Sequence, residues 1–125
     1  MIEYITTPNA PLPGGHFSQG TVFGSVLYTA GQIGQTIDKK LVNESITSEV
    51  NQIMINLSEV AKAAGTDLLN TLKTTIFITD ISFFKEVNEA YKTYFPNNPP
   101  SRSTVVVANL AANARIEIEA IIAIK

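Results

Sequence analysis

The chain has 125 residues, of which 45% are hydrophobic and 16% charged, with a formal net charge of −2 and no cysteine. That length makes one domain, able to bury a core without metal or disulfide staples. The missing cysteine excludes disulfides, thiolate metal sites and a thiol nucleophile, and slight acidity with no basic cluster beyond Lys39-Lys40 argues against an electrostatic grip on nucleic acid.

Along the chain, Pro8, Pro11, Pro13, Gly14 and Gly15 read as an ordered loop and interrupt any apolar stretch resembling a signal peptide. No apolar run reaches the length of about 20 residues that a membrane helix needs, so the cytoplasm is the expected location. Phe17–Phe23 and Val26–Ile33 predict two strands turning at Gly24-Ser25. From Ser48 to Ala64, the residues Val50, Ile53, Met54, Leu57, Val60, Ala61 and Ala64 recur at spacings of three and four. They form one helical stripe, which Gly65 ends.

Leu72–Thr79 is rich in β-branched residues and predicts a strand. Asp80 or Ser82 then caps a second helix with Phe84, Val87, Tyr91 and Tyr94 or Phe95 on one face, and Pro96 closes it. Pro96–Pro100 is a second ordered loop. Two more strands follow, Ser103–Ala108 and Arg115–Ile124. In the last one Ile116, Ile118, Ile122 and Ile124 share one face, and Glu117, Glu119, Ile121 and Ala123 the other. The order ββ(β)αβαββ describes an α+β fold in a single domain over residues 1–125, a mixed sheet with two helices on one face. The uncovered face mixes acids with apolar residues, as a partly polar interface does, so a homo-oligomer is expected.

Arg102 carries the sharpest chemical signal. It is one of only two arginines, and it stands between Pro99-Pro100 and a strand. An arginine in a loop ordinarily makes an incidental surface ion pair. Here the prolines restrict the backbone beforehand, which lowers the cost of holding a guanidinium fork ready for a carboxylate. Glu117 and Glu119 alternate with isoleucines, a pattern that is usually just a half-exposed strand. If Glu117 is desolvated at an interface, its pKa rises and it can exchange protons with water or substrate. Both acids lie on one face of one strand, and nothing resembles a saccharide platform, which sets a glycosidase aside. His16, the only histidine, lacks the neighbours of a metal site, and no nucleophile elbow supports a triad with Ser18. Gly31 marks a bulge or admits a ligand to a backbone N–H. The glycines match neither dinucleotide nor Walker patterns, so neither cofactor nor metal is expected.

Taken in register, the whole chain resembles the RidA/YjgF family of enamine/imine deaminases, also described as endoribonucleases L-PSP or translation inhibitors. The resemblance rests on Asn9-Ala10-Pro11, Gly15-His16-Phe17-Ser18-Gln19-Gly20, Ala30-Gly31-Gln32-Ile33, Asn56-Leu57 with Ala63-Ala64-Gly65, and Lys73-Thr74-Thr75-Ile76-Phe77. It continues through Asp80, Phe84, Val87-Asn88, Tyr91, Phe95, Pro100-Ser101-Arg102-Ser103 and Ile116-Glu117-Ile118-Glu119-Ala120. It implies a chorismate-mutase-like subunit and a homotrimer with ligand sites in the clefts between subunits. It further implies that Arg102 holds the substrate carboxylate, assisted by backbone N–H groups near Gly31 and Thr104. Glu117 would handle water, with Asn88 and Phe17 beside the site. The implied substrate is a 2-aminoacrylate-type enamine, converted through its imine to a 2-keto acid and ammonia.

Two positions depart from the family pattern: Phe17 stands where a tyrosine is common, and Ala30 where a serine is common. Each change removes a hydroxyl, and a donor lost from a water-activating site can cost several kcal/mol of transition-state stabilisation. Carboxylate binding through Arg102 is expected to survive both. Tyr28, on the same strand parity as Ala30, is the candidate to restore a hydroxyl. The competing expectations are a non-catalytic binder of small carboxylates or 2-keto acids, or a chaperone-like protein, and an endoribonuclease.

Overall fold

A computed structural model describes all residues, 1–125. It contains strands β1 (Glu3–Ile5), β2 (Gly20–Phe23), β3 (Val26–Thr29) and β4 (Gln32–Ile33), then helix α1 (Ile46–Ala63) and strand β5 (Thr71–Ile78). Helix α2 (Phe84–Lys92) and strands β6 (Ser101–Val106) and β7 (Ile116–Ala123) complete it. The strands make one sheet in the order β1-β2-β3-β7-β5-β6, with β4 also paired to β7. Every pairing is antiparallel except β5 with β6, which the α2 crossover makes parallel.

Local chemistry explains the boundaries. Ser45 caps α1 through a reciprocal exchange with Ser48, so the helix begins ahead of the stripe that predicts it. Gly65 takes φ 86° just past its end, a left-handed conformation that costs glycine nothing. Asp80 accepts from the Ser82 N–H at 2.8 Å and so caps a 3₁₀ turn, Ile81–Phe83, that leads into α2.

Three differences from the sequence reading have physical causes. Strand β1 pairs with β2, but its three residues are too few to carry a period. Residues 17–19 lie outside β2, because the side chain of Gln19 is turned in to bond the N-terminal loop. The expected single strand 26–33 breaks at Ala30-Gly31. There the Thr29 hydroxyl accepts the Ala120 N–H at 3.0 Å, and one extra residue is taken up between the pairs Tyr28–Ile121 and Gln32–Ile118.

Both helices cover the same face of the sheet. Val50, Ile53, Met54 and Leu57 of α1 and Val87 and Tyr91 of α2 pack with Ile76, Ile78, Ile116 and Ile118. A second cluster joins Val60 and Ala61 to Val22, Leu27 and Ile122. The opposite face carries Tyr28, Lys73, Thr75, Phe77, Glu117, Glu119 and Ile121, none of them buried. No helix is long and apolar enough to cross a membrane.

Candidate active site

The sheet register divides the expected site residues into two groups. In β6, Arg102 pairs with the buried Thr74 of β5 and so points toward the helical layer. In β7, Glu117 pairs with Phe77, whose parity is opposite, and so points from the uncovered face. Within one chain, therefore, the cation and the acid lie on opposite faces of the same sheet. A single protomer thus does not bring the acid and the guanidinium together.

Arg102 is held by aromatic and amide contacts. Its guanidinium carbon stands 5.1 Å from the Tyr91 ring centre and 5.6 Å from that of Phe84, both from the α2 segment. Its Nη1 donates to Asn88 Oδ1 at 2.9 Å. Tyr91 is fixed in turn, with its hydroxyl 2.7 Å from Thr74 Oγ1 and its ring 5.1 Å from that of Phe95. Burial pushes the Tyr91 phenol up, so it stays neutral beside the cation. Thr104 follows two residues along β6 on the Arg102 side. The other arginine is committed elsewhere. Arg115 donates through Nε to the fully buried Glu49 at 2.8 Å, and Glu49 also accepts the Arg115 backbone N–H at 2.9 Å. Arg102 has no carboxylate partner, which leaves most of its fork of donors unused.

Glu117 borders a cavity of about 530 Å³. Phe17, Ala30 and Gly31 line it, as do Pro11–Gly15 of the N-terminal loop and Ala111 and Ala112 from the turn before β7. Burial raises the Glu117 pKa above the usual carboxylate range, with the neighbouring Glu119 adding to the effect. Gly31 lies against the Glu117 side chain and leaves no room for a β-carbon. The turn that brings Ala111 and Ala112 to the cavity runs through two left-handed residues, Ala112 at φ 57° and Asn113 at φ 59°. His16 is exposed and does not line the cavity. Tyr28 lines a separate, smaller hollow with Lys73, Thr75 and Glu119, and within one protomer it does not border the Glu117 cavity that Ala30 lines.

Two residues here escaped the sequence reading. Gln19, 1% exposed, accepts from Thr7 N–H at 2.7 Å and donates to the carbonyls of Thr7, Ala10 and Pro11. It thereby fixes the loop that walls the cavity, and only its place in a family motif marked it. Lys39 lines the cavity from a left-handed turn at φ 66° and donates to the Leu12 carbonyl. Its sole sequence signal was the Lys39-Lys40 pair, which bears on nucleic-acid binding rather than on a cavity.

Residues 7–124 match the family model described as endoribonuclease L-PSP. A rat 2-iminobutanoate/2-iminopropanoate deaminase is 44% identical over 120 residues, 95% of this chain and 88% of the relative. Yeast Mmf1 superposes with a TM-score of 0.96 at 31% identity, covering 100% of both chains. Escherichia coli TdcF with bound serine gives 0.91 at 33% identity, covering 97% of this chain and 98% of the other.

Proposed function

The chain belongs to the endoribonuclease L-PSP family, also called RidA/YjgF, and from that membership we propose that it hydrolyses reactive 2-imino acids and their enamine tautomers to 2-keto acids and ammonia. The observation that carries this reading is Arg102: a guanidinium stacked on two rings, oriented by Asn88 and matched by no carboxylate of its own chain. Such a group is pre-organised for a substrate carboxylate. The name of the rat relative and the serine held by TdcF support a small carboxylate-bearing substrate.

Arg102 and Glu117 face opposite ways, so a complete site requires two subunits. In our reading a homotrimer buries the uncovered sheet face and brings one protomer's Arg102 to the partner's Glu117 cavity. Arg102 holds the carboxylate, and the N–H groups near Gly31 and Thr104 assist. Water adds across the C=N bond; its oxygen joins carbon, and one of its protons passes through Glu117 to nitrogen. The C–N bond of the resulting carbinolamine then breaks, the hydroxyl proton follows nitrogen, and ammonia leaves a 2-keto acid. A carboxyl whose pKa burial raises suits this exchange, since it holds a proton more readily than a solvated carboxylate and can both give and take it.

A second reading has one specific observation in its favour. Phe17 and Ala30 line the cavity without a hydroxyl, so a protein that binds 2-keto acids without turning imines over is the rival. RNA cleavage draws no support from a cavity with a single cation or from a net charge of −2.

A coupled assay decides between them: 2-iminopropanoate and 2-iminobutanoate are generated in situ and keto-acid release is timed. Wild type accelerates release, Arg102→Ala loses binding and turnover, and Glu117→Ala loses turnover alone. No acceleration by wild type, with 2-oxobutyrate binding retained, selects the non-catalytic reading. Mixing Arg102→Ala with Glu117→Ala under subunit exchange restores roughly a quarter of the sites if each site spans two randomly assorted subunits. No restoration refutes the shared site.

A further inference from the structure

Glu117 and Lys39 are the only charged residues that line the 530 Å³ cavity. Lys39 is exposed, and its hydrogen-bond partner is a neutral one, the Leu12 carbonyl. No ion pair of the chain includes it; those are Lys62–Glu59, Lys92–Glu89 and Arg115–Glu49. An ammonium has three donors, so one carbonyl leaves two protons and the full charge unmatched.

The position of this charge is fixed by the backbone. Lys39 takes φ 66° in the turn whose ends are tied by the Thr36 and Lys40 backbone bond. Across from it stands Gly14, where even an added β-carbon would lie 3.8 Å from Nζ, so nothing crowds the ammonium on that side. The bond to Leu12 sets it on the same loop that forms the cavity wall.

Size points the same way as charge. Within one protomer the cavity of about 530 Å³ falls in the range that holds drug-sized ligands, so its lining admits a ligand longer than a three- or four-carbon imino acid. In the trimer proposed above, one protomer's Arg102 supplies a carboxylate anchor at its partner's cavity. A second cation on the lining of that cavity leaves a monocarboxylate under-matched and complements a molecule carrying a second carboxylate.

We propose that Lys39 forms a second anion subsite, which selects 2-imino dicarboxylates over 2-imino monocarboxylates. The inference rests on the deaminase reading above for its substrate, and on the cavity alone for its anion. Lys39 touches the distal carboxylate and takes no part in proton transfer, so it determines specificity rather than chemistry.

The test compares 2-iminoglutarate with 2-iminobutanoate, each generated in situ by an amino-acid oxidase, on wild type, Lys39→Met and Lys39→Arg. The ratio of the two kcat/KM values falls about tenfold in Lys39→Met, the size of one charge-assisted contact, and is retained in Lys39→Arg. An equal ratio in wild type and Lys39→Met overturns the subsite. If wild type accelerates neither imine, the deaminase reading fails, and calorimetry then tests the subsite separately. In that case a loss of about tenfold in 2-oxoglutarate affinity relative to 2-oxobutyrate in Lys39→Met upholds it. Unchanged relative affinities overturn it.

Discussion

Gly31 and Glu117 are packed so closely that a β-carbon on residue 31 would lie 2.7 Å from the Glu117 Cδ and 2.9 Å from its Cγ. Gly31 has no positive φ, so the position needs the absence of a side chain rather than glycine's conformational freedom. Glu117 is only half-buried and can turn aside. Gly31→Ala is therefore expected to fold, with its cost falling on the chemistry. Displacing a proton-handling carboxylate by about 1 Å lowers kcat by roughly tenfold to a hundredfold. Measured kcat and melting temperature separate the two effects, and a wild-type kcat would show that the Glu117 conformation does not matter.

Asn88 orients Arg102 without neutralising it, and that distinction is testable. Asn88→Ala removes an acceptor at 2.9 Å and loosens the guanidinium. Asn88→Asp puts a carboxylate in the same place, and the internal ion pair competes with the substrate's carboxylate. Both variants should weaken 2-oxobutyrate binding by calorimetry, and Asn88→Asp more, by about tenfold or greater. If Asn88→Asp binds as well as Asn88→Ala, electrostatic competition is not what the amide avoids.

Much of the fold was legible because periodicity is a local property. The α1 stripe and the isoleucine face of β7 each announce themselves within one segment, and they pack together in two clusters, Ile116 and Ile118 in one and Ile122 in the other. Arg102 was legible through its prolines and Glu117 through strand alternation. What stayed hidden was their relation: one residue of parity in β5, between Thr74 and Phe77, sends them to opposite faces, and only the register reveals it. The β3–β4 break was hidden for a similar reason, since the Thr29 hydroxyl takes over a bond that a backbone carbonyl would make. Lys39 reaches the cavity from a turn whose left-handed residue is a lysine, and turn chemistry normally signals that conformation with glycine or asparagine.

The raised pKa of Glu117, caused first by burial and then by Glu119, makes stability depend on pH. Between the unfolded value and the raised folded value, the folded state binds more protons than the unfolded one. Stability contributed at this position therefore falls as pH rises through that window, and above it the ionised carboxylate carries its full cost. Glu117→Gln removes the ionisation. It should melt higher than wild type near neutral pH, with the advantage shrinking as pH is lowered through the carboxylate range. Melting curves from acid to neutral pH check this; an advantage independent of pH would assign it to packing instead.

Gln19 closes four bonds with one buried side chain, and its removal tests whether the cavity wall has any other fastening. Gln19→Ala leaves the Thr7 N–H and the carbonyls of Thr7, Ala10 and Pro11 without that partner. With Thr7 and Ala10 themselves buried, each unmatched group costs about 1–3 kcal/mol where water cannot reach it, so the variant should lose roughly 3 kcal/mol or more. Gln19→Glu keeps the size but turns a donor into an acceptor facing three carbonyls, so it should fare no better than alanine. Denaturant midpoints at fixed protomer concentration measure both. The loop from Pro11 to Gly15 walls the cavity that Glu117 borders, so KM should rise in the same variants while the Arg102 contacts stay intact. A Gln19→Ala protein destabilised by less than about 1 kcal/mol would mean that water satisfies these groups and that the loop holds its place by packing alone.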